Sequence, residues 1–153
     1  MRSQGARVRR SQVYTERIRH VVPLQVLAGW LIAAAMTSLF ALTFAALGLT
    51  GADLTTDSIW ATVALALGFW AGGLFTGLRV RGAPLLHGIL IGLTSLAVWF
   101  ALNILGVFVP GLLWEALSPG LTAILLLVQM ATATAGAWIG HRVALRGGQE
   151  LRG

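Results

Sequence analysis

The sequence predicts an all-α polytopic membrane protein, a four-transmembrane-helix bundle packed through ridges of small residues. Three observations predict it. The chain is 57% hydrophobic and only 10% charged, with mean hydropathy +0.82, whereas a soluble domain carries about 25% charge. Four apolar runs, at about residues 22–49, 58–78, 84–109 and 119–143, each reach the roughly 20 residues that a spanning helix needs. Glycines recur four apart inside these runs, as Gly68/Gly72, Gly73/Gly77, Gly88/Gly92 and Gly136/Gly140. Small residues at that spacing (the GxxxG pattern) let helix backbones come close in lipid.

Taken in order, residues 1–20 form a basic head with Arg2, Arg7, Arg9, Arg10, Arg17 and Arg19 against one acid, Glu16. Tyr14, Ile18 and Val21 fall at helical spacing, so its second half reads as an interfacial helix entering the first span. The apolar run behind the head is about twice the length of a signal-peptide core, and the residues after Arg9-Arg10 do not fit a twin-arginine signal. An uncleaved first span is therefore expected. Pro23 suits the first turn of that span, Ala34, Ser38, Ala41 and Ala45 make a small-residue ridge, and Gly48 and Gly51 end it.

A short acidic loop follows, and Asp57 is the expected N-cap of the second span. Trp60 stands where an indole prefers the headgroup layer. On the second span, Gly68, Gly72 and Thr76 form one ridge and Gly73 and Gly77 another, about 100° around the helix. Two ridges imply two neighbours. A turn carrying Arg79 and Arg81 leads to Pro84, which opens the third span, with Gly88, Gly92, Ser95 and Trp99 on its packing face. The segment with Leu112, Leu113, Trp114 and Glu115 reads as lying on the membrane surface, and Ser118-Pro119 as a helix start. The fourth span collects Thr122, Gln129, Thr132, Ala133, Gly136 and Gly140 on one stripe, leaving Leu, Ile and Ala for lipid. The transmembrane domain thus covers residues 21–145, and residues 146–153 are a short tail.

All eleven cations are arginines, and all lie in the head, in the Arg79/Arg81 turn or at the C-terminal end, with Arg142, Arg146 and Arg152. The other two loops hold Asp53, Asp57 and Glu115 and no Arg. Positive charge stays on the cytoplasmic side, so both termini are expected there, in the cell membrane. The net charge of +6 then points to anionic lipid headgroups rather than nucleic acid. Arg9, Arg10, Arg17, Arg19, Arg79, Arg81, Arg142 and Arg146 are the expected topology and lipid-contact residues.

Gly73-x-x-x-Gly77-x-Arg79-Val80 recurs as Gly136-x-x-x-Gly140-x-Arg142-Val143. The recurrence is consistent with two parallel hairpins about an axis along the membrane normal. It is also what two unrelated glycine-rich helices ending in a basic boundary would show. Gly72-Gly73-x-x-x-Gly77-x-Arg79, followed by Pro84-x-x-His87-Gly88-x-x-x-Gly92, resembles the small uncharacterised four-helix bacterial membrane proteins of the YrzE type. The resemblance covers roughly residues 60–95 and the four-span plan. It implies a fold and a location and carries over no catalytic residues.

No ionisable side chain falls within the hydrocarbon part of any span, which argues against proton-coupled transport. The absence of Cys removes thiolate chemistry. Ser38, Ser95 and the threonines have no base at a catalytic spacing. His20, His87 and His141 fall near one depth, but no HxxxH or HxxE pattern supports a ligand role. No metal or cofactor is expected. His87, Asn103, Gln129 and Thr132 are expected to make polar contacts inside the bundle. The leading expectation is a non-enzymatic structural or accessory membrane subunit that self-associates or joins a partner membrane protein. The alternative is a small homo-oligomeric transporter or channel with the Thr122–Gln129–Gly136 stripe along its path.

Overall fold

Each apolar run becomes one helix. The computed structural model describes residues 22–80, 82–108 and 119–150, which form α1 (Pro23–Ala46), α2 (Leu54–Arg79), α3 (Pro84–Phe108) and α4 (Pro119–Glu150). All four are long and apolar enough to cross a membrane. The 24 residues of α1 span about 36 Å, enough for the hydrocarbon core with some tilt. The head, Arg81, the Trp114–Glu115 segment and the Ser118 cap fall outside the described residues.

Local chemistry sets the helix ends. Pro23 takes the first turn of α1 behind Val22, where its missing N–H costs nothing. α1 stops at a Schellman motif: the Leu49 N–H donates to the Phe44 carbonyl and the Gly48 N–H to the Ala45 carbonyl, both at 3.0 Å. Gly48 makes this possible with φ +70°. The start of α2 corrects the expected cap. Asp53, not Asp57, is the N-cap, accepting from the Thr56 N–H at 2.9 Å and the Thr56 hydroxyl at 2.8 Å. Asp57 lies one turn inside the helix, past the unpaired first-turn N–H groups, and its carboxylate turns back to the Gly51 N–H at 2.6 Å. α2 therefore begins four residues earlier than residue 58. α4 continues past residue 143, through the good helix formers Ala144, Leu145 and Arg146.

The four helices close a ring in the order α1, α2, α4, α3. The α2–α4 contact is the most extensive, followed by α1–α2 and α3–α4, while α1–α3 is thin. Across the ring α2 and α3 just meet, and α1 and α4 do not, among the described residues. The core is small: Val26, Ala33, Phe69, Ile91 and Ala133, with Trp30, Leu65 and Leu90 against it. Large side chains face outward, as at Leu24, Leu42 and Leu127, the inversion of a water-soluble bundle that lipid-facing helices require.

The ridge expected on α1 is also corrected. Ser38, Ala41 and Ala45 are exposed and Ala34 is only partly covered, while Val26, Gly29 and Ala33 are buried. Gly29 decides the face. A Cβ there would overlap Thr76 Oγ1 and crowd the Gly72 carbonyl, so only this side of α1 can lie flat on the glycine ridge of α2.

Candidate functional site

Glycines build the central joint of the bundle. The two ridges of α2 face two different helices. Gly68 and Gly72 meet α1: an added Cβ would overlap Thr37 Oγ1 at the first and the Gly29 carbonyl oxygen at the second. Gly73 and Gly77 meet α4, where a Cβ would overlap the carbonyl oxygens of Ala133 and Ala137. From the other side, Gly136 and Gly140 lie against the carbonyl oxygens of Trp70 and Leu74. On α3, Gly88 lies against the Thr134 backbone and Gly92 against Met130.

The α2–α4 contacts are reciprocal. The sequence offset from Gly73 to Gly136 is also the offset from Trp70 to Ala133 and from Leu74 to Ala137. Gly73 therefore touches the counterpart of the residue that Gly136 touches, and Gly77 and Gly140 repeat the relation one turn on. A local two-fold axis between two parallel helices produces this pattern. The same offset relates two cation–π pairs: the Arg79 guanidinium lies 4.2 Å from the Phe75 ring centroid, and that of Arg142 lies 3.8 Å from the Trp138 centroid. An aromatic four residues before an arginine at a helix end is readable in the sequence.

The arginine-bearing end is tied together by histidines. His87 is fully buried. Its Nδ1–H donates to the Ala83 carbonyl at 3.0 Å, and its Nε2 accepts the Val22 N–H at 3.3 Å. A ring protonated at Nδ1 alone satisfies both partners, so the chain entering α1 is held to the first turn of α3. His141 Nδ1–H donates to the carbonyl of Val80, at the end of α2, at 3.1 Å. It joins α4 to α2 at the same end as the two arginines. Near mid-span, Trp30 Nε1–H donates to Ser95 Oγ at 2.9 Å, linking α1 to α3. Nothing in the linear spacing announces this pair, because its partners lie on different helices.

The other polar groups behave differently from one another. Asn103 Nδ2 donates to the Trp99 carbonyl at 2.8 Å, and Thr132 Oγ1 to the Val128 carbonyl at 2.7 Å. Both turn onto their own helix in place of the expected bond across the bundle, because the carbonyl four residues back is the nearest acceptor. Gln129 and Thr122 are 9% and 7% exposed, and Gln129 Oε1 and Thr122 Oγ1 have no partner among the described residues. Arg79, Arg142 and Arg146 are exposed. Arg9, Arg10, Arg17, Arg19, Arg81 and His20 lie outside the described residues.

At the opposite end, the Asp53 carboxyl is held below the usual carboxylate range, first by the Thr56 backbone N–H and then by the Thr56 hydroxyl. Among the described residues no three His, Cys, Asp or Glu side chains are grouped as a metal site would need. What this arrangement does well is join helices. Comparisons with protein-family models, with curated proteins and with solved structures find no match for the chain.

Proposed function

We infer that the chain is a non-enzymatic structural or accessory subunit of the cytoplasmic membrane, with both termini on the cytoplasmic side. One observation carries this reading: the stripe that a transport path would follow is occupied by protein. Gly136 and Gly140 lie directly under the α2 backbone and Ala133 under Gly73 and Gly88. The two histidine-centred joins, one on the buried His87 and one on the half-buried His141, and the Trp30–Ser95 bond spend polar groups on holding helices together. The YrzE-type resemblance supports the same fold and location and adds no activity. The expected partners are anionic lipid, a second copy or another membrane protein.

Affinity purification of a tagged chain from its native membrane in mild detergent, with mass determination of everything retained, tests the role. A stoichiometric protein partner is the expected result. The second reading, a small homo-oligomeric channel or transporter, is favoured by the buried oxygens of Gln129 and Thr122, which have no partner among the described residues. A homo-oligomer that passes solute in vesicles, with flux abolished by Gln129→Leu, would overturn the accessory role. Orientation is tested separately by reporters fused at each loop. Replacing the head arginines is expected to increase inverted insertion.

A further inference from the structure

α4 repeats the small-residue register of α2, but the seat that this register makes is filled on one helix and open on the other. On α2, Gly68 and Gly72 seat α1. At the offset that relates Gly73 to Gly136, their counterparts on α4 are Ala131 and Ala135. α3 does not sit there. It packs one position around α4, with Gly88 on Thr134 and Gly92 on Met130, and Ala131 and Ala135 remain exposed. The displacement leaves an open apolar groove of about 480 Å³ along the α3–α4 edge, lined by Leu85, Leu127, Ala131, Ala135 and Trp138 among others.

Trp138 belongs both to this groove and to a cationic platform. Its ring carries the guanidinium of Arg142, and among the described residues Arg142 makes no ion pair. A guanidinium held over an indole face keeps N–H groups for the paired oxygens of a phosphate. Length and charge together indicate the occupant. From Leu127 to Trp138 the helix rises about 16 Å, close to half of a hydrocarbon core of about 30 Å. That matches the depth of one acyl chain in one leaflet, and the guanidinium at its end supplies the charge complement that a phosphate needs.

The geometry points to a bound anionic phospholipid, with one acyl chain along Leu127, Ala131 and Ala135 and its phosphate on the Arg142 guanidinium above Trp138. The site rests on the four helices crossing a bilayer and is independent of the accessory role. Arg79 over Phe75 provides an internal control: the headgroup chemistry is the same, but the matching seat on α2 is taken by α1.

The test uses the full chain in nanodiscs of mixed phosphatidylcholine and phosphatidylglycerol, with retained lipid counted by native mass spectrometry. One phosphatidylglycerol should survive release from the nanodisc. Retention should fall about tenfold in Arg142→Gln, the scale of a lost charge-assisted hydrogen bond, and also in Ala135→Leu, which fills the groove. Arg79→Gln should leave it unchanged. Phosphatidylglycerol with brominated chains should quench a tryptophan emission component that Trp138→Phe lacks. Equal losses in Arg142→Gln and Arg79→Gln would reduce the effect to general charge attraction and overturn the site. So would equal retention of the two lipids, or absence of quenching. A change of oligomer mass in Ala135→Leu without loss of lipid would assign the groove to a second copy instead. Failure of the chain to enter nanodiscs would overturn the membrane reading itself.

Discussion

Replacing Gly73 or Gly136 with alanine should destabilise the bundle, and replacing both should cost clearly less than the sum. A Cβ at Gly73 would overlap the Ala133 carbonyl oxygen and come within 2.8 Å of its carbon and 2.9 Å of its Cα. Backbone atoms cannot rotate aside as a side-chain tip can, so α2 and α4 must move apart by roughly 1 Å. A gap of that size forfeits up to about half of each dispersion contact along the interface. Forcing extra carbon into a packed site costs about 1–3 kcal/mol. The upper end applies here, offset by about 1 kcal/mol gained in helix propensity. Each single variant should therefore lose about 2 kcal/mol, roughly a 30-fold drop in the folding constant. Because Gly136 sits one turn along the same joint against Trp70, the separation forced by the first Cβ makes room for the second. The double variant should fall short of additivity by about 1 kcal/mol or more. Gly120, with nothing within 4 Å of an added Cβ, is the control and should tolerate alanine. Equilibrium unfolding in mixed micelles measures all four variants against the wild type. Wild-type stability in Gly73→Ala, or strict additivity in the double variant, would refute the reciprocal joint.

Three further outcomes follow from the helix ends and the cross-helix bonds. His87→Ala strands the Val22 N–H, and should cost about 1–3 kcal/mol with faster hydrogen exchange at Val22 than at residues farther along α1. Ser95→Ala should cost at most a similar ~1–3 kcal/mol by leaving the half-buried Trp30 Nε1–H without its acceptor, whereas Ser95→Ala combined with Trp30→Phe should recover part of the loss. Because folding lowers the pKa of Asp53, its contribution is complete above the unfolded carboxylate pKa of about 3.9 and disappears as pH falls through the folded value. The Thr56 amide resonance should therefore be steady from neutral pH down to about 5 and shift only in stronger acid, and Asp53→Asn should remove that shift.

Much of this fold is legible in the chain because a bilayer leaves few choices. Four runs of about 20 apolar residues can only be spanning helices, and Pro23, Gly48 and Pro84 stand close to where helices turn on and off. Which face of α1 would be used was not legible. Ala34, Ser38, Ala41 and Ala45 form a longer run of small residues than Gly29 and Ala33, and only the three-dimensional position of Thr76 and the Gly72 backbone shows that the missing Cβ of Gly29 decides between the faces. Asp53 and Asp57 are chemically identical caps, separated by where the first helical N–H groups happen to point. Asn103 and Thr132 carry groups able to reach across the bundle, but the carbonyl one turn back is nearer. The Trp30–Ser95 and His141–Val80 bonds depend on helix order around the ring, which no linear spacing encodes. The matching halves of the α2–α4 joint were visible as a repeated string, but their reciprocal contact was not.

That reciprocity bears on the order of events during synthesis. When the ribosome has delivered α1 and α2, the Gly73–Gly77 face is already displayed, while its rightful partner is still some seventy residues from being complete. At about 5–20 residues per second the wait is on the order of ten seconds. Throughout that interval α2 of another nascent copy offers a matching groove, in which Gly73 would meet Trp70 just as Gly136 eventually does. A joint whose two halves are near copies is thus its own competitor. Crowded polysomes, strong overexpression or an arrest before α4 should trap entwined dimers that slow, dilute production avoids.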